Sequence, residues 1–310
     1  MMQRLAQSRL LWLTVIFLAA AVLLPLGGVS AYILGLLTAA YYFGVFAMSW
    51  DLLFGFAGEV NFGPTFLIGV GAYTGGILDN LYGPPIWLCL VAGAFAAVVA
   101  GLVLALPALR VRGPYFGLTT LVAVLMLQNF VVVFAGLTGG EIGLTVPDVI
   151  SIDAGVNYYV ALGFMVVSGV ILFGLSRSPL GLILQASGQD PVQAGALGFN
   201  VAKHKLAAFC VSAFFSGLAG ALLVFYLGTA SVGTVVDVGV AVQVIIAVVL
   251  GGRRTILGAV LGAVFLIGMG EILRPIGELA TFIVSAIALV VVLLFPNGFL
   301  GMLLRTKETS

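Results

Sequence analysis

The chain has 310 residues, of which 62% are hydrophobic and 7% charged, with a formal net charge of +1; soluble domains carry about 25% charged residues. That composition excludes a water-soluble domain with an ordinary surface, and the near-zero charge argues against nucleic-acid binding. The 42 glycines suit a bilayer instead, where small residues let helix backbones approach closely.

A membrane-spanning helix needs about 20 mostly apolar residues. Ten segments read this way, at 10–28, 31–50, 62–79, 86–107, 115–136, 157–175, 206–228, 237–251, 255–273 and 277–296. The third is rich in glycine and the eighth is short. The fold expected is an all-α, polytopic transmembrane protein of about ten spans. It forms a single membrane domain over 1–310, without long polar tails or a soluble module. Arg4 and Arg9 precede the first apolar stretch, and Gly27, Gly28, Ser30 and Ala31 follow it, as around a signal peptide. The stretch is longer than a signal core, so it reads as a retained span.

Charge supports the count. With the N-terminus inside, Arg4, Arg9, Arg110, Arg112, Arg177, Lys203, Lys205, Arg253, Arg254, Arg305 and Lys307 all fall on the inner side, and only Arg274 falls outside. Basic residues collect on the cytoplasmic side of membrane proteins. Both termini are therefore expected in the cytoplasm. Glu141, Asp148 and Asp153 share the longest outer loop, 137–157.

Between the second and third spans, residues 50–65 read WDLLFGFAGEVNFGPT. Asp51, Glu59 and Asn61 interrupt the apolar run, and Gly55, Gly58, Gly63 and Pro64 disfavour a continuous helix. Two readings fit: a short cytoplasmic loop with solvated carboxylates, or a bent or re-entrant segment beside a pathway. The next span carries Gly69, Gly71, Tyr73, Thr74, Gly75 and Gly76, a face suited to tight packing.

The longest inner loop, about 176–205, contains Leu180, Ile183, Leu184, Val192, Ala196 and Leu197 as apolar contacts. Asp190 is placed to cap a short helix that begins at Pro191 and stops at Gly198. Such a helix serves as a docking element for another protein or as an amphipathic element on lipid.

Polar residues inside spans are candidates for a solute path: Asn61, Tyr73, Thr119, Thr120, Gln128, Asn129, Ser212, Ser216 and Gln243. Each also fits an interhelical hydrogen bond worth about 0.6 kcal/mol. Few charges within the spans suit a neutral or zwitterionic solute. Cys89 and Cys210 sit in apolar runs as free thiols, and no metal-type spacing occurs. An ATPase needs a glycine-rich phosphate loop ending in Gly-Lys-Ser/Thr. None of the three lysines lies in one, so the chain itself is no ATPase. An intramembrane enzyme lacks its base, because the only histidine, His204, stands beside Lys203 and Lys205. An ion-coupled secondary transporter is the alternative, yet Asp51, Glu59, Asp79, Asp237, Glu271 and Glu278 all lie near span ends rather than mid-membrane.

Several segments together resemble one family. Residues 55–76, GFAGEVNFGPTFLIGVGAYTGG, resemble its glycine-rich element ending in Gly-Ala-Tyr-Thr. Tyr115, Phe116, Thr119, Thr120 and Leu121 resemble a second element. Thr138, Gly139, Gly140, Gly143 and Leu144 resemble its Thr-Gly-Gly loop, and residues 195–209, GALGFNVAKHKLAAF, resemble its ATPase-coupling stretch. Gly217 to Ala221, Gly251 with Gly252, and Phe295 to Gly298 complete the series. The chain thus resembles the LivM-type permeases of branched-chain amino acid ABC importers and their urea and amide relatives. The resemblance implies an inner-membrane permease with a LivH-like second permease, two cytoplasmic ATPase subunits and an extracytoplasmic solute-binding protein, all in lipid. It implies no cofactor in this chain, with ATP and Mg on the partner subunits. It places the ATPase contact at Gln185, Asp190, Pro191, Ala194, Gly195, Ala196, Leu197 and Gly198, and the binding-protein contact at Thr138, Glu141, Asp148 and Asp153. The chain departs from the family at Leu182, Leu184, Gln185 and Ser187, where several charges are usual, and at Arg253 and Arg254.

Overall fold

A computed structural model describes residues 16–108 and 114–277, together with Leu279, Ile283, Ala286 and Gly298. Its helices are α1 (Ile16–Gly27), α2 (Ala31–Asp51), α3 (Pro64–Tyr82), α4 (Ile86–Ala108), α5 (Pro114–Val133), α6 (Ala135–Thr138) and α7 (Ala154–Arg177). After these come α8 (Pro179–Gln189), α9 (Pro191–Ala196), α10 (Val201–Leu227), α11 (Val232–Val235), α12 (Val238–Gly251) and α13 (Ile256–Leu273). A two-residue antiparallel pair, β1 (Leu144–Thr145) with β2 (Thr229–Ala230), is the described β-structure.

Among the described residues, seven helices are long and apolar enough to cross a membrane: 31–56, 86–107, 115–133, 154–177, 201–227, 232–251 and 256–276. That is fewer than the ten expected, for three separate reasons. The first expected span is described only from Ile16, as the shorter helix α1. The third is present as α3, but its glycines, Asp79 and Asn80 lower its hydropathy below the others. The tenth, 277–296, lies outside the described residues apart from isolated positions. A helix shielded by its neighbours has no need of lipid-like hydropathy, which is why α3 can be less apolar than the other spans.

Helix ends follow local chemistry. Side-chain oxygens of Asp153 and Asn200 accept from the backbone N–H groups of Val156 (2.9 Å) and Lys203 (3.0 Å), satisfying donors that a first turn leaves free. Asn200 starts α10 earlier than the apolar run suggests, so Lys203, His204 and Lys205 lie on its first turns rather than in a loop.

Two helices form the centre. The membrane-spanning windows of α10 and α2 are 78% and 61% buried, against 33–39% for the other five. α10 packs against α3 and α4, α2 packs against α7 and α13, and α12 lies beside α13. The central pair touch through Ser49 and Ser216, whose hydroxyls are 2.7 Å apart. Where α3, α4 and α10 meet, a Cβ on Gly71 would overlap the Gly217 backbone, and one on Gly217 would overlap the Ala97 methyl. Small residues here set the interhelical distance.

The helices alternate so that Arg177, Lys203, Lys205, Arg253 and Arg254 lie at one end of the bundle, here called the basic face. Glu141, Asp148 and Asp153 lie at the opposite face, where the β1–β2 pair closes the bundle.

Candidate coupling and pathway site

At the basic face α2 does not end cleanly. It runs into a single π turn, Leu52–Phe56, and residues 57–63 are non-helical before Pro64 begins α3. Single π turns inside helices recur at functional sites. The expected break near 50–65 is therefore present; of its two carboxylates one is buried and the other half-buried and paired. Asp51 is fully buried, and its Oδ1 accepts the Arg254 backbone N–H at 3.1 Å. Arg254 in turn donates from Nε to the Gly55 carbonyl at 2.8 Å, while the Arg253 guanidinium stacks 4.1 Å from the Phe54 ring centre. Arg254 is held at φ 62°, a left-handed conformation that costs a non-glycine residue about 1–2 kcal/mol. Glu59 pairs with Lys205 at the foot of α10.

The rest of the break is pinned to its surroundings. The Trp50 indole donates to the Asn61 carbonyl at 2.6 Å, and Asn61 Oδ1 accepts from Gly63 N at 2.8 Å. Phe62 N donates to Thr120 Oγ1 on α5 at 3.0 Å. Asn61 and Thr120, both path candidates, are buried and hold this segment through these hydrogen bonds.

The loop 176–205 folds as two helices. α8 carries Gln185 and buries Gly181, Leu184 and Ser187 against the bundle. Asp190 breaks the chain and caps α9, accepting at Oδ1 from Val192 N (2.9 Å) and Gln193 N (3.0 Å). Pro191 opens α9, Ala194 is its buried residue, and Gly198 follows at φ 91°. Gly195, Ala196 and Leu197 face outward, with Leu197 75% and Val192 69% exposed.

Of the remaining path candidates, Tyr73 is buried on α3 with its hydroxyl unpaired among the described residues, and Ser212 and Ser216 are buried on α10. Thr119, Gln128 and Asn129 lie on α5, and Gln243 is half-buried on α12. Gln128 Nε2 donates to the Val236 carbonyl at 3.3 Å, so α5 reaches toward the start of α12. Thr119 and Asn129 bond back to Tyr115 and Leu125 of their own helix. A shallow apolar groove runs along α5, lined by Val122, Met126, Asn129 and Val133.

At the opposite face, Glu141, Asp148 and Asp153 are exposed, but Thr138 is buried and donates to the Val131 carbonyl at 2.6 Å. Asp79 of α3 holds this loop by accepting the Asp148 N–H at 3.1 Å. Ile142 and Ile152 stand fully exposed beside the acidic residues.

A family model described as "Branched-chain amino acid transport system / permease component" matches residues 32–296. The chain belongs to this permease family. It is 28% identical over 292 residues to the high-affinity branched-chain amino acid transport system permease protein LivM of Salmonella typhimurium, covering 83% of this chain and 67% of that protein. The LivM protein of Escherichia coli matches with the same identity and coverage. A probable branched-chain amino acid transport permease protein LivM of Methanocaldococcus jannaschii is 23% identical over 265 residues, 71% of this chain and 76% of that one. No solved structure matches. The permease family is one of transport components and not of enzymes.

Three features of this permease were missed from sequence: the Asp51–Arg254 clasp, the Glu59–Lys205 pair and the contact of Gly58 with Gly188. A signal for the first two was present. A carboxylate in an apolar run needs a partner, and only the basic residues of the same face could supply one. The glycine contact had no such signal.

Proposed function

We propose that this chain is one of two permease subunits of an ATP-driven importer in the cytoplasmic (inner) membrane, with the basic face and both termini in the cytoplasm. The α8–α9 pair is the coupling loop, seated on the bundle through α8 and presenting α9 to an ATPase subunit that carries ATP and Mg. The solute is small and neutral or zwitterionic: a branched-chain amino acid, another amino acid, urea or an amide. A binding protein delivers it to the face that carries Glu141, Asp148 and Asp153.

The observation that carries this reading is the exposure of Val192 and Leu197 on a capped helix at the basic face. An apolar residue held out into water by a rigid cap is a poor use of the chain unless a partner covers it, and burying a leucine is worth about 1.5–3 kcal/mol. The alternative of ion-coupled transport would put a cation at buried Asp51, but the charges of Arg253 and Arg254 surround that carboxylate and repel one.

The test is co-expression with the companion permease, ATPase and binding-protein genes. Ala196→Glu forces a charge into the proposed contact, which must stay hydrated or be desolvated at high cost. The variant should insert and pair with the second permease, yet lose the ATPase subunits or uncouple hydrolysis from uptake. Unchanged uptake and unchanged ATPase retention would remove α9 as the coupling element. Uptake by the lone wild-type chain under an ion gradient would remove the importer reading itself.

A further inference from the structure

We propose that the non-helical segment 57–63 is a relay that makes α8 and the N-terminal half of α5 move as one. The purpose of such a relay rests on the importer reading, whereas the mechanical link is a property of this chain alone.

The first end of the relay is a backbone-to-backbone contact. Gly58, at φ 72°, lies against Gly188 of α8; a Cβ on Gly58 would stand 3.0 Å from the Gly188 carbonyl oxygen. A Cβ on Gly188 would stand 2.7 Å from the Phe56 carbonyl oxygen. No side chain intervenes to absorb a displacement of α8, so the segment must follow it or separate from it.

The other end is equally close. Gly63 is seated against the Thr120 carbonyl, closely enough that a Cβ would overlap it. Phe62 N donates to the Thr120 hydroxyl, and a Cβ on Gly117 would stand 2.7 Å from the Phe62 ring. Two residues one turn apart on α5 are therefore gripped by two consecutive residues of the segment.

Between the ends, the backbone groups that a helix would pair internally find partners elsewhere. Glu59 N donates to the Leu53 carbonyl at 3.2 Å, the Trp50 indole holds the Asn61 carbonyl, and Asn61 Oδ1 holds Gly63 N. Glu59 adds the ion pair to Lys205. The segment is thus braced without being helical, and it cannot shorten or lengthen as a flexible loop would. α5 has room to respond, because only 33% of its spanning length is buried, against 78% for α10.

Contact alone is not coupling, so the test reads coupling directly. Amide hydrogen exchange is measured by mass spectrometry on the purified full chain in detergent, without any partner. Gly188→Ala disturbs the α8 end; Gly163→Ala on α7, where a Cβ meets open space, is the control. Gly188→Ala should speed exchange at Phe62 and in the first turns of α5 by about 5- to 150-fold, the usual range of intersite coupling, and leave α13 unchanged. Coupling is reciprocal, so Thr120→Val should speed exchange in α8, and this arm stands even if Gly188→Ala does not fold. Faster exchange confined to α8 and residues 56–60 after Gly188→Ala, or confined to α5 and residues 61–63 after Thr120→Val, would overturn the relay. Because no ATPase subunit is present, the relay and the importer reading fail separately.

Discussion

α10 and α5 are almost equally apolar, with mean hydropathies of 2.1 and 2.0, yet 78% of one spanning window is buried and only 33% of the other. Hydropathy therefore identifies the solvent of a helix and says nothing of its neighbours. The run of small residues on α10, set among large buried ones such as Phe209 and Phe225, supplies part of that information. α10 presents Ala213, Ser216, Gly217, Ala219, Gly220 and Ala221 to the helices around it. α5 presents Leu118, Val122, Leu125, Met126 and Val133 outward. In lipid there is no hydrophobic drive for helices to associate, so packing and hydrogen bonds must supply it. Small residues permit that packing on α10, while large ones on α5 leave a surface for lipid or for another chain.

The comparison is most sharply broken at Gly217. Its position already lacks room for a Cβ beside Ala97, so Gly217→Leu should separate α10 from α4 and α3. Overpacking usually costs about 1–3 kcal/mol and occasionally more; here backbones would have to part, and the folded, monodisperse species should be lost on size exclusion. A monodisperse Gly217→Leu chain with an unchanged thermal midpoint would show that size does not govern this interface.

A smaller effect is expected at the foot of α10. Lys205→Met leaves Glu59 without its cation in a site where the two side chains are 12% and 17% exposed. An unsatisfied buried group costs about 1–3 kcal/mol, which should appear as a lower thermal midpoint of the lone chain. Glu59→Gln combined with Lys205→Met should restore most of it. A double variant no better than Lys205→Met would mean that the pair does not act as one unit.

Smaller still is the Ser49–Ser216 contact between the two central helices. A cycle of Ser49→Ala, Ser216→Ala and the double variant isolates the pair, and about 0.6 kcal/mol is the expected coupling inside a membrane bundle. A coupling above about 2 kcal/mol would exceed the range seen for such pairs and would make this hydroxyl contact, not the glycines, the anchor of the centre.

How much of this was legible beforehand differs by region. Most of the apolar spans could be read because a bilayer imposes long apolar runs that single sequences display, and the family because several of its segments occur in order along the chain. The α9 cap was legible for the same kind of reason: Asp190, Pro191 and Gly198 act within a few residues of one another. Asp51 was visible as an anomaly, but its partner Arg254 lies 203 positions away, and no local rule connects them. Thr120 and Asn61 stood out as path candidates because polarity in an apolar run is conspicuous. Their hydrogen bonds to Phe62 N and Gly63 N, backbone groups released by the break, were not legible, because sequence does not show which backbone groups a break leaves free. The contact of Gly58 with Gly188 was invisible, since a glycine allows close approach without naming what approaches.

The smallest effect on the lone chain is expected at α5 itself, and it carries the most meaning. Leu125 and Met126 are 43% and 68% exposed. Shortening them to Ala removes little packing within the chain, and substitutions at such outer positions usually stay within about 0.5 kcal/mol. The thermal midpoint of Leu125→Ala/Met126→Ala should therefore barely move, in contrast to Gly217→Leu on a helix of equal hydropathy. If the α5 groove faces lipid, nothing else changes either, because acyl chains refill the space. If it faces the second permease subunit proposed above, with the proposed path bordered by Thr119, Asn129 and Gln243, the same variant should weaken retention of that subunit while the chain alone stays intact. The two surfaces are told apart by placing Leu88→Ala/Phe95→Ala on α4 beside it. Those side chains are 41% and 60% exposed on a helix with no polar residue in its outward stripe of Trp87, Val91, Val99 and Val103, as lipid contact demands. Loss of the companion subunit from the α5 variant and not from the α4 variant would assign α5 to the subunit interface. Equal retention in both would return α5 to the lipid and move the path elsewhere in the bundle.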